Sequence, residues 1–348
     1  MSGIKEIKNL KEFSTSLERF EGGHRLCPGC SHSIIVREIL NATDYNLVVG
    51  YGTGCLEVCT SIYPFTSWDV SSIHIGFENA STAVAGAESM YKVLKRKNRL
   101  PGGDERPTKF IAFAGDGATY DIGLQWISGC LERGHNMVYV CLDNEGYMNT
   151  GGQRSSSTPI GGATTTSPAG RESYGEKNKK KDIIGIMAAS GAEFVAQVSP
   201  SHWKDMVKKV HKAFETEGPT FLNAVSPCPT EWKFEPHRGM ELNELAVESC
   251  VFPLFQIEYG TKLTVTYKPK NKIAVRDYLG EQGRFKHLFK SENAHIIEKL
   301  QKDVDERWEY LLRREEAGYN PSPSQLATFK HFLLTHLRIN QTKYLYIF

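Results

Sequence analysis

The sequence has little excess charge of either sign and no long apolar run. Its 348 residues contain 42 Lys and Arg against 40 Asp and Glu. The chain therefore lacks the strong electrostatic field that would bind nucleic acid or a membrane surface. No stretch approaches the roughly 18 apolar residues of a spanning helix, and the first residues lack a secretory-signal pattern. We therefore expect a soluble cytoplasmic protein with neither nucleic acid nor membrane among its partners.

The sequence shows no sign of a disulfide framework. The chain has eight cysteines, and thiols stay reduced in the cytoplasm. These cysteines are therefore expected to be buried apolar residues or metal ligands. A hydrophobic content of 40% is sufficient for a sizeable core.

Short β-branched runs alternate with amphipathic stretches of helical length from about Asn46 onward. This alternation predicts an α/β fold, a mostly parallel sheet with helices on both faces. The predicted strands are 47–49, 73–77, 109–114, 137–142, 193–198 and 220–225.

Two later regions break this pattern. The segment from Thr150 to Lys181 is rich in Gly, Ser, Thr, Pro and Lys, and it is too long for an ordinary connection. Its place just after a candidate site favours a functional loop. Far beyond it, apolar residues recur at helical spacing and predict a docking helix; they are Ile297, Leu300, Val304, Trp308 and Leu311.

The strand predicted at 109–114 runs into Gly115-Asp116-Gly117 and then into a predicted helix. Ligands bind at such carboxyl ends of strands in open α/β sheets. The glycines permit a sharp turn close to a phosphate, and the helix N-terminus attracts an anion. Asp116 would repel a bare diphosphate, but a bridging Mg²⁺ removes the repulsion. Asp116 is therefore the predicted first magnesium ligand.

A second magnesium ligand is expected at the end of the next strand. Asn144 follows the strand predicted at 137–142 and offers a neutral amide oxygen. A GDG sequence alone is often a simple turn. Here Asn144 follows at the end of the next strand, 28 positions after Asp116. The two features together indicate a ligand-binding site much more specifically than GDG alone.

Five cysteines are candidate ligands for a second metal site. Cys27 and Cys30 lie on one tight CxxC loop, which suits two corners of an iron–sulfur cluster or a zinc ion. Cys55 and Cys228 lie just beyond predicted strand ends and can converge on that loop, whereas Cys59 is ambiguous and ranks below Cys55. The remaining three have apolar neighbours and are expected to be buried; they are Cys130, Cys141 and Cys250.

The spacing of GDG and Asn resembles the diphosphate-binding domain of thiamine enzymes. Six segments together resemble the beta subunit of the pyruvate:ferredoxin oxidoreductase family between about His24 and Leu288; they are RLCPGCSH, GTGCLEV, IHIGFENAS, GDGATYDIGLQ, DNEGYMNTGGQRS and SPCPTEW. The resemblance implies thiamine diphosphate with Mg²⁺ held by Asp116, Asn144 and the carbonyl of Gly146. It also places Asn149 and Thr150 near the diphosphate.

The same resemblance assigns one [4Fe-4S] cluster to four of the cysteines: Cys27, Cys30, Cys55 and Cys228. It implies oxidative decarboxylation of a 2-oxoacid with coenzyme A as acyl acceptor and ferredoxin as electron acceptor. Pyruvate is the first choice of substrate, and a branched 2-oxoacid or oxalate is the alternative. Two rivals are a non-redox thiamine subunit with a structural zinc and a non-catalytic electron-transfer module.

No catalytic residue is assigned within the chain. Thiamine activation needs a glutamate from a pyrimidine-binding domain, and the chain has one α/β unit, so an alpha subunit is expected to supply it. Gamma and ferredoxin-like delta subunits are expected as further partners. Glu78, His24 and His74 are weak acid–base candidates. Arg154 is a better-placed anion contact than the lysines at 179–181, which are expected to form a solvated face.

The chain is accordingly divided into four parts. Residues 1–45 form an N-terminal segment with the CxxC loop, and 46–235 form the thiamine diphosphate- and magnesium-binding α/β domain. Residues 236–316 form a C-terminal arm and the docking helix, and the arm sequence at 275–288 is expected to contact partner subunits. Residues 317–348 form a tail without an assigned role.

Overall fold

The fold is built on one sheet of eight strands. The computed structural model describes residues 3–4, 7, 9–15, 18–100 and 107–318. The strands are β1 (Asn46–Gly52), β2 (Ser71–Ile75), β3 (Thr108–Gly115), β4 (Val138–Asp143), β5 (Phe194–Val198), β6 (Thr220–Val225), β7 (Phe255–Glu258) and β8 (Lys262–Val265). Their order in the sheet is β2-β1-β3-β4-β6-β5-β7-β8. The first six are mutually parallel; β7 pairs antiparallel with β5, and β8 pairs antiparallel with β7.

All six predicted strands are present, and the α/β prediction is confirmed. Strands β7 and β8 were not predicted, because each has only four residues and shows too few alternations for a pattern. They follow residue 236, so the sheet continues into the segment that the sequence assigned to a C-terminal arm.

Helices cover both faces of the sheet. They are α1 (Leu10–Ser14), α2 (Ser31–Asn41), α3 (Cys55–Thr60), α4 (Ala80–Arg96), α5 (Leu124–Glu132), α6 (Ile183–Ala189), α7 (Trp203–Glu215), α8 (Pro229–Trp232), α9 (Gly239–Glu248), α10 (Val275–Gly280) and α11 (Ala294–Ala317). Helices α2 and α7 pack on one face, and α4, α5, α6 and α11 pack on the other.

Strand β3 shows how the sequence produces these two layers. Its side chains alternate between faces: Ile111 and Phe113 join the cluster under α2 and α7, whereas Phe110 and Ala112 join the opposite cluster. Because both faces are covered by helices, both sets of side chains are apolar.

The predicted docking helix is α11, and it packs on its own chain. Ile297 and Leu311 are buried, Trp308 contacts the cluster beneath the sheet, and Leu300 and Val304 contact a third apolar cluster beyond the end of β6. The tail from 319 onward lies outside the described residues. Within the described residues, no helix is both long and apolar enough to span a membrane.

The segment between β4 and α6 folds back on itself. The Gly161 amide donates to the Glu176 carbonyl at 2.8 Å, and the Lys181 amide donates to the Ser156 carbonyl at 3.0 Å. Ser155 and several neighbours are buried. The segment therefore covers the carboxyl edge of the sheet.

A buried carboxyl in α2 provides a test of the fold's stability. Burial raises the pKa of Glu38 to about 8, and its Oε2 has no hydrogen-bond partner. Because the folded-state pKa exceeds the unfolded value, stability is lost as the pH rises from about 4.5 to 8. We expect Glu38→Gln to raise the free energy of unfolding at pH 8 by on the order of 1 kcal/mol and to change it little at pH 4.5.

Urea unfolding at the two pH values measures this difference. Glu132→Gln is the matched control, because Glu132 is an exposed residue in α5. A gain of equal size at both pH values would show that ionisation of Glu38 is not its cause.

Candidate active site and metal centres

The oxygens predicted to hold magnesium meet at the ends of β3 and β4. These strands are adjacent and parallel, with Gly115 opposite Leu142, so Asp116 and Asn144 emerge side by side. One end of the Asn144 amide lies 2.7 Å from Asp116 Oδ1 and 2.9 Å from the carbonyl oxygen of Gly146. Tertiary pairing of the two strands thus brings the three residues together.

These distances fit a magnesium ion. Mg²⁺ binds oxygens octahedrally at 2.0–2.1 Å, which places neighbouring ligand oxygens about 2.9 Å apart. When the amide oxygen faces Asp116 and Gly146, three oxygens converge, and a cation is needed between them. Without a cation, the amide nitrogen occupies that end and donates to both.

Asp116 is completely buried, and Ser155 Oγ donates to its Oδ2 at 2.5 Å. Burial raises the pKa of Asp116 well above its usual range, and the nearby carboxylate of Asp143 raises it further. A divalent cation would offset both effects.

Asp143, immediately before Asn144, is the centre of a buried polar network. Tyr120 Oη donates to its Oδ2 at 2.8 Å, Ser157 Oγ donates to its Oδ1 at 2.5 Å, and Lys180 Nζ lies 2.8 Å from Oδ2. Burial tends to raise the pKa of Asp143, but the Lys180 ammonium and the hydrogen bonds outweigh it and hold the pKa below its usual value. Asp143 therefore stays ionised.

The loop after β4 closes on the GDG turn. A Cβ atom at Gly117 would lie 2.5 Å from the Tyr147 ring, so only glycine allows this approach. Tyr147 Oη donates to Asp121 Oδ2 at 2.9 Å. The predicted helix after the turn begins as a π-helix, Gly117–Ile122, and continues as α5.

A cavity of about 290 Å³ opens beside these residues. Its lining includes six of the seven predicted cofactor residues: Gly115, Gly117, Asn144, Gly146, Asn149 and Thr150. Phe77, Leu56 and Met148 supply apolar walls. The cavity lining therefore includes both polar groups that suit a diphosphate and apolar walls that suit a ring.

The four predicted cluster cysteines lie on three segments that meet beside this cavity. Cys27 and Cys30 precede α2, Cys55 begins α3, and Cys228 precedes α8. Burial, together with the nearby thiols of Cys228, Cys59 and Cys27, raises the pKa of Cys55 to about 12. Burial likewise raises the pKa of Cys30, with contributions from Cys228, Cys55 and Cys27. The four thiols are therefore near enough to influence one another's ionisation.

Tight packing holds the CxxC loop against the segment after β6. Gly29 has a left-handed φ of +78°, and a Cβ atom there would lie 2.1 Å from the Pro236 carbonyl oxygen. Thr230 Oγ1 lies 3.8 Å from Cys27 Sγ. Glycine at this position thus permits the contact that brings Cys228 to the loop.

The spacing of the thiols bears on which metal they suit. Sulfurs bound to one tetrahedral zinc at 2.3 Å lie about 3.8 Å apart. Among the described residues, no group of three or more His, Cys, Asp or Glu side chains is arranged to hold a single ion. A cluster keeps its cysteine sulfurs farther apart, because its own iron and sulfide atoms lie between them. The described thiols are therefore not arranged around one tetrahedral ion.

Other residues considered from sequence lie elsewhere. His74 is largely exposed and pairs with Glu57 at 3.1 Å, and His24 stacks on Phe20. Arg154, expected to contact an anion, pairs with Glu176 at 2.8 Å. Of these candidates and Glu78, none is among the described residues that line the cavity.

The expectation of a solvated face at 179–181 is wrong for Lys180. Its ammonium contacts Asp143 and Glu145, and Lys181 Nζ donates to the Tyr120 carbonyl at 2.5 Å. A run of lysines is usually solvated, but here the long loop turns Lys180 inward. The side chains of Lys179, which lies beside Asp303, and of Lys181 stay exposed.

Sequence reasoning also missed His32, which lines the cavity and is buried. Burial lowers the pKa of His32 to about 4, so the ring is neutral. Its position two residues after Cys30 was the available signal. Ser155 and Ser157 were missed because serines in a polar loop resemble solvated residues.

Comparison with known proteins agrees with this geometry. The C-terminal TPP binding domain of thiamine pyrophosphate enzymes matches residues 52–224. Pyruvate synthase subunit PorB of Thermotoga maritima is 46% identical over 316 residues, which cover 88% of this chain and 97% of that protein. Ketoisovalerate oxidoreductase subunit VorB of Pyrococcus furiosus is 38% identical over 300 residues, which cover 86% of this chain and 94% of that protein.

A solved structure shares the fold. A chain of 2-oxoglutarate:ferredoxin oxidoreductase from Magnetococcus marinus superposes with a TM-score of 0.51 at 21% identity, over 80% of this chain and 93% of that chain. The sequence relatives, which are matched over almost their whole length, establish the family. The chain therefore belongs to the 2-oxoacid:ferredoxin oxidoreductase family, as a beta subunit.

Proposed function

We propose that this chain is the thiamine diphosphate- and iron–sulfur-binding subunit of a pyruvate:ferredoxin oxidoreductase, or pyruvate synthase. The observation that carries the proposal is that Cys55 and Asn144 line the same cavity. A cofactor seated there would lie beside a cluster ligand, as electron transfer from cofactor to cluster requires.

Different groups of described residues would bind the magnesium ion, the diphosphate and the cluster. Asp116, Asn144 and the Gly146 carbonyl would hold Mg²⁺, and backbone at Gly115 and Gly117 would approach the diphosphate. Asn149 and Thr150, which also line the cavity, would contact the diphosphate. Four thiolates would hold one [4Fe-4S] cluster: those of Cys27, Cys30, Cys55 and Cys228.

When bound, thiamine diphosphate supplies the nucleophilic carbon and the electron sink that decarboxylation of a 2-oxoacid needs. The chain's own part is to orient it and to exclude water, through the apolar walls at Leu56, Phe77 and Met148. A cluster held by Cys27, Cys30, Cys55 and Cys228 would supply the one-electron acceptor that a reaction with ferredoxin needs, and coenzyme A would be the acyl acceptor.

The cavity indicates that a second subunit is needed. No Asp or Glu is among the described residues that line it, whereas thiamine activation requires a carboxylate beside the cofactor. An alpha subunit with a pyrimidine-binding domain would supply that glutamate. Gamma and ferredoxin-like delta subunits would complete a cytoplasmic complex.

Pyruvate is the proposed substrate because the relative named pyruvate synthase is 46% identical, against 38% for the ketoisovalerate enzyme. The test is anaerobic purification with the associated subunits, then reduction of ferredoxin with coenzyme A and each of several acids: pyruvate, 2-oxoisovalerate, 2-oxoglutarate and oxalate. We expect the highest kcat/KM with pyruvate.

Three outcomes would overturn different parts of the proposal. A preference for 2-oxoisovalerate or oxalate would change the substrate and keep the chemistry. Zinc without iron or sulfide in the anaerobic preparation would remove the redox chemistry and favour a thiamine subunit with a structural zinc. Iron and sulfide without thiamine diphosphate binding would favour an electron-transfer module.

A further inference from the structure

Glu145, between the two magnesium-binding positions 144 and 146, has an unusual backbone. Its φ is +65°, in the left-handed region that residues with a side chain seldom adopt unless their surroundings impose it. Glu145 is also almost fully buried, with 5% of its surface exposed. Something must therefore hold both its backbone and its carboxylate.

The carboxylate is held by two cations from distant parts of the chain. Arg284 Nη2 lies 2.5 Å from Oε2, and Lys180 Nζ lies 3.1 Å from Oε1. Arg284 is 3% exposed, its guanidinium lies 3.8 Å from the centre of the Trp232 ring, and Gln282 Oε1 accepts from its Nε at 2.9 Å. The Arg284–Glu145 pair is thus fixed on every side.

The backbone of the same loop is held by neighbouring side chains. Trp232 Nε1 donates to the Asn144 carbonyl at 2.8 Å, and Thr158 Oγ1 donates to the Glu145 carbonyl at 2.8 Å. Two of the three successive carbonyls, those of Asn144 and Glu145, therefore accept hydrogen bonds from side chains outside the loop. The third, that of Gly146, faces the Asn144 amide.

We propose that Glu145 and Arg284 are positioning residues that set the Asn144 amide and the Gly146 carbonyl in place for the cation. This inference rests on the magnesium site proposed above. Arg284 lies 139 residues after Glu145 in sequence, in the segment expected to contact partner subunits. Within its own chain, that segment contacts the loop at 144–146 through Arg284.

The test uses the anaerobic complex freed of metal and measures the Mg²⁺ concentration for half-maximal thiamine diphosphate binding, by quenching of tryptophan fluorescence. We expect Arg284→Met and Glu145→Gln each to raise that concentration about 10- to 100-fold, the usual effect of removing groups that orient metal ligands. Because the two residues act as one unit, the double variant should lose little more than either single variant. Arg284→Lys should recover part of the loss.

Two further readouts separate positioning from general damage. At saturating Mg²⁺, kcat should return to within a few-fold of the wild type, and iron content should be unchanged. The matched control is Arg238→Met, which removes an arginine paired with Glu241 and Glu281 away from the metal loop. It should leave the magnesium dependence unaltered.

The proposal is overturned if Glu145→Gln, which preserves side-chain shape, shifts the magnesium requirement no more than the control does. It is also overturned if the two single effects simply multiply. If Arg284→Met assembles poorly, Glu145→Gln decides the matter alone. A failure of the magnesium site itself is recognised separately, since Asp116→Ala would then leave the magnesium dependence unchanged.

Discussion

Replacing Asp116 with alanine is expected to abolish binding of thiamine diphosphate with Mg²⁺ and to leave the iron content unchanged. The carboxylate is the one charged group among the three proposed ligands, and its Oδ1 lies 2.7 Å from the Asn144 amide. Its loss should weaken cofactor binding by at least about 100-fold, because even groups that only orient a ligand contribute 10- to 100-fold. Isothermal titration of the metal-free complex measures this directly.

Cofactor binding should be lost without a loss of iron, because the two sites use different side chains. Asp44→Ala is the matched control, since Asp44 is exposed and precedes β1 at the opposite edge of the sheet. It should bind the cofactor normally. Loss of iron from Asp116→Ala with cofactor binding retained would contradict the proposed assignment of ligands.

Replacing Cys55 with serine is expected to remove the cluster and the reduction of ferredoxin, while thiamine diphosphate still binds. Cys55 is the proposed cluster ligand that also lines the cofactor cavity. Iron and sulfide, about four of each per chain in the wild type, should fall to background together with the broad absorbance near 400 nm. Metal analysis and an anaerobic spectrum of the complex measure both.

Cys59 provides a close control for that experiment. It lies one helical turn after Cys55 in α3 and is also partly exposed. The thiol of Cys27 contributes to raising the pKa of both cysteines. Cys59→Ser should keep its iron. The reverse result, iron lost from Cys59→Ser and kept in Cys55→Ser, would transfer the fourth ligand position to Cys59.

The sequence was informative wherever a structural requirement was local. The six parallel strands were predicted because each is a short apolar run between helical stretches, and all six are present. The GDG turn and Asn144 were recognisable because each directly follows a strand. Adjacent parallel strands end at the same edge, so their spacing in sequence predicted a meeting in space.

Contacts between distant segments were beyond such reasoning. Lys180 belongs to a run of lysines that resembles a solvated face, yet it is turned inward to Asp143. Arg284 lies in the segment expected to contact partner subunits, and no sequence pattern indicated that its guanidinium is buried against Trp232. Each buried ion pair depends on how loops more than 30 residues apart in sequence fold over the sheet, and no local pattern encodes that.

The sequence by itself determined the α/β class and the residue types available as ligands, because strand periodicity and ligand chemistry are properties of short segments. The tertiary structure alone decided which groups share the cavity and what holds the loop at 144–146 in its left-handed turn. The physical reason is that these features depend on burial: the buried carboxylate of Glu145 is held by cations from distant segments, Lys180 and Arg284.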